Sequence, residues 1–233
     1  MASTTFVPAL IIVDMQVDFV TGSLAVNDAP SLIEPINDIL SLPFALKVGT
    51  KDWHPHNHIS FAATHGKSVG EKITIFPPER LTSVHVPKAG FAELKGLEQV
   101  LWPVHCVATT PGSEYAGGLN TVKVDATVHK GMDEDVECYS AFVDPWGLVP
   151  TTLPALLSQH GVTDVFVTGV AGDFCVKFTA IDAVKFGFKS WYVRDLTKCV
   201  SQELAGKQEE EVKNAGVGLV DCEEVKRRVG GIA

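Results

Sequence analysis

Basic residues are in short supply. Nineteen Lys and Arg stand against 28 Asp and Glu, a formal charge of −9. The one basic cluster, Lys226-Arg227-Arg228, follows Asp221, Glu223 and Glu224 and reads as a solvated helix face. A nucleic-acid backbone is held by clustered Lys and Arg, so nucleic acid is not an expected partner. Long apolar runs are lacking too: none approaches the ~18 residues of a membrane span. The opening MASTTFVPALIIVDMQ has no basic flank, and its apolar run ends at Asp14, so it reads as a first core strand rather than a leader. VGGIA, at the other end, carries no lipidation or retrieval signal. Neither GxGxxG after the first strand nor GxxxxGK[ST] occurs, which leaves nucleotide binding without a motif. The five cysteines (106, 138, 175, 199 and 222) are odd in number, irregularly spaced and free of CxxC. That pattern fits free thiols in a reducing compartment better than a disulfide framework, and the expected location is cytoplasmic.

What remains is the balance of an ordinary globular protein, 45% apolar and 20% charged over 233 residues. One domain spanning 1–233 is expected. Short β-rich runs recur as LIIVDM (10–15), KVGTKDW (47–53), VKVDATVHK (122–130), DVFVTGVA (164–171), SWYVRDL (190–196) and GVGLVD (216–221). Helical spacing separates several of them, over 31–42, 153–161 and 174–187. Near-continuous apolar strands alternating with helices predict a doubly wound α/β domain, with a mostly parallel six-stranded sheet covered on both faces. Residues 65–101 hold three prolines and no clear period, so they read as an inserted loop or small subdomain. Ligands of such sheets gather at the carboxyl ends of the strands. Asp14, Asp52, Lys130 and the turn from Ala171 to Cys175 all fall there and can converge.

Cys175 sits in GVAGDFCVKFTA, where a buried strand gives way to a helix. With a helix starting near Asp173, the thiol lies in the first turn, where unpaired N–H groups and the dipole favour a thiolate. A small core residue packing helix against sheet is the plain alternative. In DWHPHNHISFAATH (52–65), an extended backbone points Asp52 and His54 to one face, so carboxylate and imidazole could share a cation. His105 in LWPVHC is a candidate third ligand; a solvated loop with incidental histidines is the competing account. Pro55 interrupts the alternation, so His56 and His58 need not face the same way. A carboxylate closing a buried strand, as Asp14 does after IIV, needs a partner or a proton. A turn aspartate and a solvated lysine are the ordinary readings of Asp14 and Lys130.

These pieces together resemble the isochorismatase-like cysteine hydrolases. The matching segments are IIVDMQVDF, KDWHPHNHISFA, LWPVHC, HKGMDEDVECYSAF and GVAGDFCVKFTAIDA, in the family's order from residue 10 to about 195. The resemblance implies a catalytic triad of Asp14, Lys130 and Cys175, and an oxyanion site at the N–H groups of Ala171 and Cys175. It also implies a cis peptide between Val170 and Ala171. The DWH and WPVHC pair resembles the signature of the family's metal-dependent pyridine amidases. It implies a divalent metal on Asp52, His54 and His105, usually Zn2+, with Mn2+ or Fe2+ suited to the same donors. Phe19, Trp102, Ala171 and Phe174 match substrate-binding positions, with Tyr139 nearby. The implied substrate is a small molecule, nicotinamide, hydrolysed to nicotinate and ammonia through a cysteine thioester in NAD salvage.

Two features depart from the family pattern. Gly172 and Phe174 stand where many members carry Thr and Tyr, and the 65–101 stretch is longer than in compact prokaryotic members. Other hydrolysis within the family, or a non-catalytic metal-binding or thiol-sensing domain on the same fold, are the alternative readings. An exposed helix face or the long insertion could also join copies into a homo-oligomer.

Overall fold

All six residues of the first strand, β1 (Pro8–Val13), are buried, as a strand with helices on both faces requires. This is a computed structural model, describing residues 5–85, 88, 94–201 and 205–231. The other strands are β2 (Leu46–Asp52), β3 (Lys72–Ile75), β4 (Leu97–Val100), β5 (Ala126–Lys130), β6 (Asp164–Val170), β7 (Lys189–Lys198) and β8 (Gly218–Val220). The helices are α1 (Val17–Val20), α2 (Ile33–Ile39), α3 (Glu79–Thr82), α4 (Leu153–Gln159), α5 (Cys175–Lys185), α6 (Ala205–Asn214) and α7 (Cys222–Gly230).

Six strands form one sheet in the order β5-β2-β1-β6-β7-β8, and every pairing in it is parallel. Alternate residues of β1 feed two cores. Leu10 and Ile12 pack with Ile36 and Ile39 of α2 and Val225 and Val229 of α7. Ala9, Ile11 and Val13 pack with Leu153 of α4, Val176 and Ala180 of α5, and Val212 of α6. Strand order runs outward both ways from β1 and β6, which makes that pair the topological switch point. A crevice opens there at the carboxyl ends of the strands.

The insertion does not join this sheet. Within it, β3 and β4 make a separate antiparallel pair, with Ile73 opposite Gln99. Ile75 of β3 and the partly buried Leu97 of β4 pack with Trp146 and Leu148 in a small third core. Positions 86, 87 and 89–93 of the insertion lie outside the described residues. Among the described residues, no helix is long and apolar enough to cross a membrane.

Candidate active site

Each strand of the central group delivers one polar residue to the crevice. Asp14 follows β1, Asp52 closes β2 and Lys130 closes β5, with Asp52 directly opposite Lys130 in the β2–β5 register. Cys175 opens α5 after the turn that follows β6. The helix thus starts two residues later than the expected Asp173. That carboxylate instead accepts the backbone N–H groups of Val200 at 3.0 Å and Ser201 at 2.9 Å.

The structure brings Asp14, Lys130 and Cys175 together. The Lys130 ammonium lies 2.9 Å from Asp14 Oδ2 and 3.4 Å from Cys175 Sγ, and it hydrogen-bonds to Asp52 Oδ1. Thr50 Oγ1–H donates to Asp14 Oδ1 at 2.6 Å. Asp14 Oδ2 faces the ammonium and, among the described residues, has no other polar partner, which leaves it able to take a proton. Asp14 itself sits at φ 50°, a left-handed conformation that Asp adopts more readily than most residues.

Burial sets the resting charges. It pushes Asp14 up to about 6 against the opposing pull of Lys130. On Asp52, burial also acts upward, but the charges of Lys130 and His54 outweigh it and hold the carboxyl well below its usual range. On Lys130, burial is overcome by the two carboxylates, so the ammonium persists far above its ordinary range. Cys175 corrects the expectation of a resting thiolate. Burial drives its thiol well above the ordinary value, and the nearby ammonium only partly offsets that.

The candidate metal ligands meet at Asp52. Its Oδ2 lies 3.4 Å from His54 Nε2 and 3.9 Å from His105 Nε2, and all three residues are buried. Each imidazole is tied down at the other nitrogen. His54 Nδ1–H donates to Gly131 O at 2.8 Å and His105 Nδ1–H to Pro103 O at 2.7 Å. This tautomer turns both Nε2 lone pairs toward the carboxylate, the orientation that metal-ligating histidines show. Three such donor atoms within 4.8 Å of one another fit a divalent cation. Asp14, Asp52 and Cys175 form a second close set, but the Lys130 ammonium already lies among them. His58 stays out of the ligand set: it stacks on His54 at 4.0 Å, and its nitrogens face Ser60 Oγ and Val136 O.

One cavity reaches both the Cys175 thiol and the candidate metal ligands. Asp52, His54, His105 and Cys175 line it together with Phe19, Trp102, Phe174 and Ala171. Trp102 meets Phe174 edge-on at 5.0 Å. The Val170–Ala171 peptide is cis. Among the described residues, neither the Ala171 nor the Cys175 backbone N–H donates to another protein group, so both remain available to an oxyanion.

Several residues escaped the sequence reading. Gln16 clamps Asp52, accepting its N–H and donating to its carbonyl, each at 2.8 Å. The motif DMQ places Gln16 two positions after Asp14, and that adjacency was the available signal. Glu137 lines the same cavity, and burial raises its carboxyl; Tyr139, which the sequence placed nearby, lines it too. Gly131, at φ 62°, makes room for His54: a Cβ there would come within 2.7 Å of Nδ1. The Gly172 departure also has a cause. A Cβ there would meet Tyr192 Oη at 2.5 Å, Thr197 Cγ2 at 2.7 Å and Cys199 Sγ at 2.8 Å.

A family model described as the isochorismatase domain matches residues 83–224. The chain belongs to the isochorismatase-like family. Among family members, it is 37% identical over 222 residues to the nicotinamidase of Saccharomyces cerevisiae, covering 91% of this chain and 98% of that one. The structure of the yeast nicotinamidase bound to the inhibitor nicotinaldehyde superposes with a TM-score of 0.83 at 36% identity, covering 92% of this chain and 99% of that one. The pyrazinamidase of Pyrococcus horikoshii, solved in complex with zinc, matches with a TM-score of 0.69 and 32% identity over 92% of this chain and 99% of its own.

Proposed function

We propose that the chain is a nicotinamide amidohydrolase, converting nicotinamide to nicotinate and ammonia through a thioester on Cys175. The buried contact of Lys130 with Asp14 and with Cys175, whose thiol shares one cavity with the Asp52, His54 and His105 set, carries this reading. The likeness to nicotinamidases over nearly the whole chain supports it. Asp14 takes the Cys175 proton, and the sulfur attacks the carboxamide carbon beside the Lys130 ammonium. The N–H groups of Ala171 and Cys175 receive the oxyanion, each donor contributing about 3 kcal/mol in sites of this kind. The protonated Asp14 then delivers its proton to the departing nitrogen, releasing ammonia and leaving the acyl group on sulfur. Water, deprotonated by Asp14, attacks the thioester; nicotinate leaves and the proton returns to sulfur.

Phe19, Trp102 and Phe174 enclose the ring, and Ala171 borders the carboxamide. Asp52, His54 and His105 hold a divalent cation, which we take to be zinc. When bound, it supplies a Lewis-acidic anchor for a ring nitrogen. Holding the carboxamide against sulfur in one orientation can account for much of the rate enhancement. Ammonia release and bound metal, measured on one preparation, test the reading. The parent should release ammonia from nicotinamide and contain zinc. Cys175→Ala should abolish release with metal content unchanged. A zinc-loaded parent that releases no ammonia, or a Cys175→Ala variant that still turns over, refutes it.

A further inference from the structure

Gln99 belongs to the inserted hairpin rather than to the main sheet, yet it reaches the site. It is 2% exposed. Its amide nitrogen lies 2.7 Å from Val100 O, 2.8 Å from Glu137 Oε2 and 2.9 Å from Tyr139 Oη. Tyr139 Oη in turn accepts Trp102 Nε1–H at 3.0 Å, and the Tyr139 ring lies 5.3 Å from that of Phe174. One amide therefore joins Glu137 to Tyr139, both of which line the candidate active-site cavity, and Tyr139 carries the link on to Trp102.

A second cavity of about 340 Å³ lies behind them, lined by Ile75, Leu97, Val143 and Phe178 together with Gln99. Glu137 and Tyr139 line both cavities, so they form the partition between them. Tyr139 stacks on Phe178 on that side, at 5.6 Å and 15°. Stacking alone lets a phenol slide, whereas a donated hydrogen bond fixes its oxygen. Among the described residues, the donors to that oxygen are Gln99 and Trp102.

We propose that Gln99 is a positioning residue which, by fastening Glu137 and Tyr139, keeps the ring slot narrow and so limits the size of the amide accepted. The inference rests on the amide-hydrolysis reading and adds a size limit to it. Among the described residues, the hydrogen bonds of Gln99 go to Val100, Glu137 and Tyr139 and none to Asp14, Lys130 or Cys175, so its loss should weaken ring binding rather than chemistry.

Steady-state kinetics on nicotinamide and quinoline-3-carboxamide, whose second ring needs space beyond the partition, test this. The proteins compared are the parent, Gln99→Met, Tyr139→Phe and the double variant. Gln99→Met should raise KM for nicotinamide about fivefold, the worth of one neutral hydrogen bond, with kcat within about twofold of the parent. The preference for the single ring should fall in the same variant. Tyr139→Phe should shift both quantities the same way, and the double variant should add little to either single change. An unchanged KM and amide preference, whatever happens to thermal stability, overturns the proposal; so does a loss confined to kcat. Should Gln99→Met not fold, Tyr139→Phe alone decides by the same criteria. A parent that hydrolyses neither amide faults the hydrolase reading instead. The slot is then read by calorimetry with nicotinamide, where equal affinity of parent and Gln99→Met overturns the positioning role.

Discussion

Replacing Lys130 with Met would leave two buried carboxylates facing each other with no cation between them. The parent ammonium lies 2.9 Å from Asp14 Oδ2 and hydrogen-bonds to Asp52. At an effective dielectric of about 20, the Asp14 pair alone is worth about 6 kcal/mol of Coulomb attraction. Desolvation of both charges offsets part of that, and breaking a buried pair from one side costs about 3–5 kcal/mol. Asp14 and Asp52 carboxylate oxygens lie within 4.8 Å of each other, so their repulsion at the same dielectric is about 3 kcal/mol. A proton taken by either one removes it. In the variant, that carboxyl titrates above its unfolded value, so stability rises as pH falls through the folded value. Parent Asp52 is held well below its usual range and makes no such gain between pH 8 and 5, and parent Asp14, raised only to about 6 against the pull of Lys130, makes a smaller gain than it does once that cation is removed. The variant should therefore unfold in urea with a deficit of about 3–5 kcal/mol at pH 8 that shrinks toward pH 5. Both proteins are to be stripped of metal with EDTA, so that no bound cation replaces the missing charge. A deficit below about 1 kcal/mol at pH 8, or one that widens on acidification, refutes the argument.

Two further outcomes test neighbouring parts of the structure. With Asp14 as the proton acceptor, kcat/KM for nicotinamide should fall as pH drops through about 6, where its carboxyl takes up a proton. Asp14→Asn should cost about 100-fold or more and abolish that acid limb; a limb that survives the substitution belongs to another group. Gly172→Thr should cost about 1–3 kcal/mol in thermal unfolding through overpacking against Tyr192, Thr197 and Cys199. An unchanged Tm removes steric fit as the reason for that glycine.

The main sheet was readable because its strands are buried on both faces. PALIIV is therefore wholly apolar and DVFVTGV mostly so, and both announce themselves by composition. The site residues were readable for a related reason. Asp14, Asp52 and Lys130 each interrupt or close such a run, where a polar residue has to be explained. Strand order was not readable, since nothing in KVGTKD or ATVHK says that these two segments pair. The hairpin was read as an inserted loop or small subdomain, without its strands. KITI is largely exposed and its partner LEQV lies more than twenty positions on, so neither shows the period of a packed element. The part played by Gln99 depends on contacts 38 and 40 residues away in sequence, which composition cannot register.

The misjudged thiol has a sharper lesson, because ionisation depends on depth as well as neighbours. Helix start and cation both favour a thiolate at Cys175, and both are present, yet burial outweighs them in the resting state. Burial does not thereby disarm the nucleophile. Asp14 is buried alongside and is raised by the same cause. A proton passing from Cys175 to Asp14 moves one negative charge from carboxylate to sulfur without changing the net charge of the pocket. The desolvation penalties of the two acids therefore oppose each other in the transfer. What differs between the two states is the interaction with Lys130, whose ammonium touches both partners, 2.9 Å from the carboxylate and 3.4 Å from sulfur. That lysine can follow the charge across with little movement, so a neutral thiol at rest is compatible with a thiolate during attack.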